Sequence, residues 1–203
     1  DPNVPAQSLT FTITGGADQG RFTVSTIDSN SAALSFQAAP DFEIPSDVGE
    51  NNVYEVTVTV SDGTGGSDEQ TINVTVIDTN EDPSFTSSST VSVEENILDV
   101  LTVTVIDPDT PSDPQSLTIS IVGGADQALF SIVELDSHSA ALTFKTAPDF
   151  ENAADANTDN VYEITLQVSD AAGGVVTQSL NVTITDTNED PSFTSSSTVS
   201  VEE

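Results

Sequence analysis

Cysteine, methionine and tryptophan are absent from the 203 residues, and Lys and Arg together number 2 against 34 Asp and Glu. Without cysteine there is no disulfide frame and no thiolate metal site. Without Trp, and with both Tyr in alternating strand-like stretches, there is no aromatic platform on which a sugar would stack. The near-absence of basic residues leaves no patch for nucleic acid. An anionic membrane surface finds none either, and the longest apolar runs fall far short of the ~20 residues that cross a bilayer. No direct membrane insertion is expected. The single histidine, His138, lies in the turn Asp136-Ser137-His138-Ser139, and its repeat mate is Asn30. That marks a turn residue rather than a catalytic base. No Gly-rich phosphate loop of the GxxxxGK type occurs. Paired carboxylates alone would permit glycoside hydrolysis, but the chain reads as no enzyme, with no catalytic residues and no organic cofactor.

What is abundant is negative charge. The formal net charge is -32, and a compact chain so charged repels itself unless cations screen or bind it. Adaptation to high salt gives the same composition and stands as an alternative to specific cation binding. Disorder is the other reading of such a charge, and the strict apolar alternation below argues against it.

The acids are ordered by an internal repeat. Residues 78–95 recur letter for letter as residues 186–203, 108 positions on. Pro40-Asp41-Phe42-Glu43 returns as Pro148-Asp149-Phe150-Glu151 at the same offset, and Val60-Ser61-Asp62 as Val168-Ser169-Asp170. A fixed period of this size marks a repeat array. The pattern divides the chain into an incomplete repeat at 1–77, a linker at 78–83, a complete repeat at 84–185, a linker at 186–191, and an opening strand of a further repeat at 192–203. The chain begins mid-repeat and reads as a segment of something longer.

Within the complete repeat, apolar residues alternate in short runs. They are Phe85/Val91/Val93, Leu101/Val103/Val105, Leu117/Ile119/Ile121, Phe130/Ile132, Leu142/Phe144, Tyr162/Ile164/Leu166/Val168 and Leu180/Val182/Ile184. Seven period-2 strands separated by Gly, Pro, Asn and Asp turns, with no helical period, predict an antiparallel β-sandwich. The fold class is all-β: tandem seven-stranded Greek-key (Ig-like/cadherin-like) sandwiches. The first copy lacks counterparts of its two opening strands, which predicts exposed core and sheet edges.

Hard divalent cations take six to eight oxygen ligands and tolerate irregular geometry. The linker Asp78-Thr79-Asn80-Glu81-Asp82-Pro83 supplies four such side chains in five residues. Asp41 and Glu43 of the first repeat, and Asp107, Asp109 and Asp170 of the second, are expected to converge on the sandwich ends beside it. So many carboxylates in a small volume do not all stay ionised without bound cations.

These residues resemble the cadherin repeat, specifically its bacterial cadherin-like relatives. Asp107-Pro108-Asp109 looks like the family's DxD motif, and Asp1 and Asn3 align with it in the first copy. Pro148-Asp149-Phe150-Glu151 looks like its LDxE motif, with Pro in the Leu place. Asp78-Thr79-Asn80-Glu81-Asp82-Pro83 is similar to the DxNDNxP linker, with Glu81 for the usual Asp, Asp82 for the usual Asn, and one residue fewer before the proline. Glu95 sits at the family's early glutamate; Asp62 and Asp170 sit at its late aspartate. The second linker repeats the set as Asp186, Asn188, Glu189 and Asp190. The resemblance implies Ca2+ as the bound ion. It also implies calcium-stiffened junctions between neighbouring repeats of one chain, and a place on the cell surface of a bacterium. An adhesin or stalk is the expected role, with a surface filament assembled by strand donation between identical chains as the alternative.

Two further stretches have plainer readings. Asp155-Ala156-Asn157-Thr158-Asp159-Asn160 alternates oxygen ligands like a calcium loop, with a solvated hairpin loop preferred. Asn73-Val74-Thr75 and Asn181-Val182-Thr183 match the N-glycosylation pattern on outward strand positions.

Overall fold

The computed structural model describes residues 8–109, 116–195 and 197–201. Asp1 and Asn3 lie outside the described residues. Two units divide the chain, Asp1–Asn80 and Glu81–Glu203.

Unit 2 contains β6 (Ser84–Phe85), β7 (Thr90–Glu94), β8 (Asp99–Ile106), β9 (Thr118–Gly123), β10 (Phe130–Asp136), β11 (Ser139–Phe144), β12 (Val161–Ser169) and β13 (Val175–Thr185). One sheet has the order β10-β11-β8-β6 and the other β7-β13-β12-β9. The first of the seven sequence strands is therefore two: β6 pairs with β8, and the chain then crosses to the opposite sheet as β7. There it runs parallel to β13, with Val91 opposite Val182 and Val93 opposite Ile184. The expectation of a wholly antiparallel sandwich is corrected at this one pair. β7 and β13 are far apart in sequence, so no hairpin imposes an antiparallel pairing on them.

Alternation decides the core. Along β12 the pattern puts Tyr162, Ile164, Leu166 and Val168 inside, each at most 1% exposed. Val103, Val105 and Leu142 join them from the opposite sheet, and Leu180 and Val182 from β13 beside them. Each such side chain contributes roughly 1.5–3 kcal/mol on burial. Phe130, Phe144 and Tyr162 form an aromatic corner. The two phenylalanine centroids are 4.5 Å apart, and the Phe144 and Tyr162 rings meet nearly edge-on at 5.2 Å.

Unit 1 holds β1 (Thr10–Gly15), β2 (Phe22–Asp28), β3 (Ser31–Phe36), β4 (Val53–Ser61) and β5 (Ser67–Thr75), as a β1-β4-β5 sheet and a β2-β3 hairpin. It reproduces the aromatic corner in Phe22, Phe36 and Tyr54, with centroids 4.6 Å apart for the two phenylalanines. Among the described residues it has no strand in the places of β6, β7 and β8. A groove of about 220 Å³ opens there, lined by Phe11, Val24, Leu34, Val58, Val60 and Ile72 among others.

Two details escaped the alternation pattern. A single 3-10 turn precedes the aromatic corner in each unit, at Gln19–Arg21 and Gln127–Leu129. Asp18 and Asp126 before these turns are buried acids that staple loops. Asp126 accepts the N–H groups of Ala156 and Glu163 at 2.7 and 2.8 Å, and Asp18 those of Val48 and Glu55 at the same distances. The recurrence of Gly15-Gly16-Ala17-Asp18-Gln19 as Gly123-Gly124-Ala125-Asp126-Gln127 was the available signal.

Candidate metal centre

At one end of unit 2, carboxylate oxygens of Glu95, Glu151, Asp186 and Glu189 all lie within 4.8 Å of one another. They arrive from four places: the turn after β7, the loop after β11, and two positions just past β13. Glu95 is fixed most firmly. It is 3% exposed, its Oε2 accepts the Phe150 N–H at 2.9 Å, and its Oε1 accepts the Thr187 N–H at 2.8 Å. These two bonds hold its carboxyl below the ordinary value, against a smaller opposing effect of burial. Glu189 is pushed the other way, by desolvation first and then by the charges of Glu151, Glu95 and Asp186. The Asn96 amide donates to Glu189 Oε1 at 3.4 Å, and Asn96 itself adopts φ 65° to turn the chain away from β7.

The donor set fits a hard divalent cation. It is all oxygen, it is anionic beyond what hydrogen bonds neutralise, and one of its acids is displaced upward by burial and then by the charges of its neighbours. Of the other expected ligands at this end, Asp149 accepts the Asn152 N–H on its Oδ1 at 2.9 Å. Asn188 Nδ2 donates to the Glu189 carbonyl at 3.3 Å, and Asp190 is exposed. None of these three belongs to the four-acid cluster.

A second group of acids in unit 2 gathers around the β8 exit and the β12–β13 turn. Asp107 and Asp109 are each 1% exposed. Asp107 Oδ1 accepts the Asp109 N–H at 2.9 Å, and Asp109 Oδ2 accepts the Glu81 N–H at 3.1 Å. Asp170 Oδ1 collects the N–H groups of Ala172, Gly173 and Gly174 at 2.9, 2.6 and 2.7 Å. Its Oδ2 and Asp82 Oδ1 both press on the space a Cβ at Gly174 would occupy. The Asp107 carboxyl is raised by burial, with the charges of Asp109 and Asp170 adding to it.

In unit 1, Asp41 accepts the Ile44 N–H at 2.9 Å, and Asp62 accepts those of Thr64 and Gly66 at 2.8 and 2.9 Å. Asp62 thus folds the same turn as its repeat mate Asp170. Glu43 is half-buried, while Asp78 and Asn80 are exposed.

Residues 155–160 lie in the connection from β11 to β12, which belong to different sheets, so the expected hairpin is corrected to a crossover loop, folded on itself by Asp155. Asp155 is 4% exposed, and its two oxygens accept the N–H groups of Asp159 and Asn160 at 2.9 and 3.2 Å. Asp47 does the same for Asn51 and Asn52, each at 3.0 Å. His138 pairs with its own turn, its N–H on Asp136 at 2.8 Å and its Nδ1 against Ser137 Oγ at 2.7 Å.

A model of the bacterial Ig domain family matches residues 1–75. No curated protein matches the sequence. Among solved structures, the human desmocollin-1 ectodomain is 23% identical with a TM-score of 0.51, covering 93% of this chain and 35% of that one. Drosophila N-cadherin EC1-4 is 20% identical with a TM-score of 0.59, covering 90% of this chain and 43% of that one. The extracellular cadherin domains 1-5 of protocadherin gamma B2 are 21% identical with a TM-score of 0.56, covering 90% of this chain and 34% of that one. The chain thus spans less than half the length of each of these three chains, and at these identities the likeness is one of fold. No helix among the described residues is long and apolar enough to cross a membrane. The family match and the structural neighbours agree on a cadherin-like, Ig-like β-sandwich fold for this chain.

Proposed function

We propose that this chain is a calcium-binding segment of an extracellular repeat array, in which Ca2+ held by acids at the repeat ends stiffens the array as a stalk or adhesin. The observation that carries the reading is the cluster of Glu95, Glu151, Asp186 and Glu189 within 4.8 Å. Four carboxylates so close, in a chain with 2 basic residues, are self-repulsive without a cation and strongly favourable with one. The expected affinity is that of extracellular calcium modules, around 10⁻⁴–10⁻³ M. Asp107, Asp109, Asp170 and Asp82, with Asp41, Glu43, Asp78, Asn80 and Glu81, complete the ligand supply in this reading. This reading assigns no catalytic residue; the single histidine engages its own turn through its N–H and Nδ1.

Calorimetric titration with calcium tests it, alongside thermal melts in excess calcium and in chelator. Several bound ions and a raised melting temperature support the reading. If calcium acts no differently from magnesium or sodium, the acids are a solvated, salt-adapted surface.

A second reading, end-to-end assembly of identical chains by strand donation, has one specific observation behind it. Residues 192–201 repeat the sequence that forms β6 and β7, yet Phe193, Val199 and Val201 are 98%, 82% and 87% exposed. Light scattering at high protein concentration separates the two: ordered polymers favour donation, persistent monomers the stalk.

A further inference from the structure

The chain's 2 basic residues, Arg21 and Lys145, both stand at the rim of one repeated cavity. In unit 1 it measures about 290 Å³ and in unit 2 about 550 Å³. All nine residues lining the first have repeat mates lining the second. Each cavity lies beside the aromatic corner, with Tyr54 or Tyr162 at its floor and Pro40 or Pro148 on its wall.

The positive charge does not sit at the same repeat position in the two units. Arg21 aligns with Leu129, and Lys145 aligns with Gln37. The two positions are backbone partners: the Gln37 N–H donates to the Arg21 carbonyl at 2.8 Å, and the Lys145 N–H to the Leu129 carbonyl at 2.8 Å. The cation has therefore changed strand ends between the repeats and stayed on the same cavity. A cation serving only to relieve the charge of -32 would be best placed among acids. Neither does so by contact: among the described residues, neither Arg21 nor Lys145 is ion-paired to a carboxylate. The Lys145 ammonium instead donates to the Ala128 carbonyl at 2.8 Å, which leaves two of its three protons for another acceptor. Both side chains are exposed at the rim, so the charge is not a packing element either.

From this we infer that the repeated cavity is a binding site for a small ligand bearing one carboxylate on a compact, partly apolar body, held by Arg21 in unit 1 and Lys145 in unit 2. One cation per cavity matches one negative charge; a phosphate or other dianion would leave a charge uncompensated beside a strongly acidic surface. Ala147, Pro148 and Leu129 supply the apolar wall in unit 2, and Ala39 and Pro40 in unit 1. In unit 2 Asp149 lines the wall as well, with its Oδ1 occupied by Asn152. The volumes suit a ligand between a short-chain acid and a sugar acid.

The test is a titration of the full chain at constant ionic strength with sodium glucuronate, sodium butanoate and neutral methyl glucoside, followed by amide chemical shifts around Leu129 and Tyr162 and around Arg21 and Tyr54. Both carboxylates are expected to saturate two sites per chain, and methyl glucoside neither. Tighter binding of glucuronate identifies a sugar acid; equal binding identifies the carboxylate alone. Arg21→Gln and Lys145→Gln should each weaken their own site by about tenfold or more, the scale of a charge-assisted hydrogen bond. Moving the charge across the backbone pair, as Lys145→Gln with Leu129→Arg, should restore the site. The proposal is overturned by an absence of saturable binding, by equal binding of the neutral sugar, or by binding that survives the double variant Arg21→Gln, Lys145→Gln. It is also overturned if binding appears only with calcium and depends on Glu151 rather than Lys145, which would place the carboxylate on a bound ion.

Discussion

The Glu95 carboxylate and the Thr187 N–H, 92 residues apart in sequence, meet at 2.8 Å. That bond ties the turn after β7 to the chain leaving β13, and so sets where Asp186 and Glu189 lie relative to Glu95 and Glu151. The acids are presented by a framework already closed through main-chain donors, which is the condition for a cation to be gripped rather than merely attracted.

Calcium should therefore stabilise unit 2 measurably. With affinities of 10⁻⁴–10⁻³ M, about 10 mM calcium adds roughly 1.4–2.7 kcal/mol per ion. Glu151→Gln removes one anionic ligand without touching the Glu95 bonds. It should weaken calcium by about tenfold while leaving the melt in chelator unchanged or slightly raised, because it relieves repulsion on Glu189. Calorimetry and melts of the two proteins in calcium and in chelator measure both effects. A variant that binds calcium as well as the parent would remove Glu151 from the site.

Acid stability provides a test away from the metal cluster. Burial acts to raise the Asp47 carboxyl, but the N–H groups of Asn51 and Asn52 outweigh it and hold the group below its ordinary value of 3.8. A lowered pKa contributes stability that is present above the unfolded value and lost as pH falls through the folded one. The stability gap between the parent and Asp47→Asn should thus be full near neutral pH and close below about pH 4. Denaturant unfolding of both proteins across that range, in chelator, measures it. A gap independent of pH would mean that the asparagine costs shape rather than charge.

The Gly124 main chain passes directly over β12. It adopts φ +100°, and a Cβ there would run into the Glu163 carbonyl and the Ile164 Cα. Both the backbone conformation and the close approach demand glycine. Gly124→Ala should cost well over about 1 kcal/mol, whereas Gly173→Ala, at φ +117° with nothing within 4 Å, should bear only the conformational part. Chemical denaturation of the pair resolves the two contributions.

Strand order and core were readable because alternation at period 2 is dictated by a two-sided sheet: Tyr162, Ile164, Leu166 and Val168 are inside wherever β12 is a strand. Glu95 and Glu151 were legible through the repeat and its resemblance to cadherin motifs. What hid from the sequence was the use of each acid. Asp149 and Asp155 are carboxylates on the same β11–β12 loop as Glu151, and Asp170 is one on the β12–β13 turn. Short aspartate side chains reach their own main-chain N–H groups two to five residues on, as Asp155 does with Asp159 and Asn160. Glu151, one methylene longer, extends to the cluster. The sheet switch between β6 and β7 was hidden for a different reason. Ser87, Ser88 and Ser89 carry no apolar period to mark which sheet either half joins.

The two copies of β12 offer the last test, because one sequence position has two environments. Leu166 is 0% exposed in unit 2 and belongs to the core cluster that includes Val103 and Val105 of β8. Its mate Val58 lines the unit 1 groove and is half-buried. Leu166→Ala should cost about 2–5 kcal/mol, transfer plus cavity. Val58→Ala removes less surface and leaves no closed cavity, so its cost should stay near or below about 1 kcal/mol. Amide exchange reports each unit separately: Leu166→Ala should accelerate exchange on β12 and β13, and Val58→Ala should change β4 and β5 little. A large loss at Val58 would show that the groove is closed in solution, which is what an inserted strand from a second chain would do; concentration dependence of the same exchange rates then identifies the insertion.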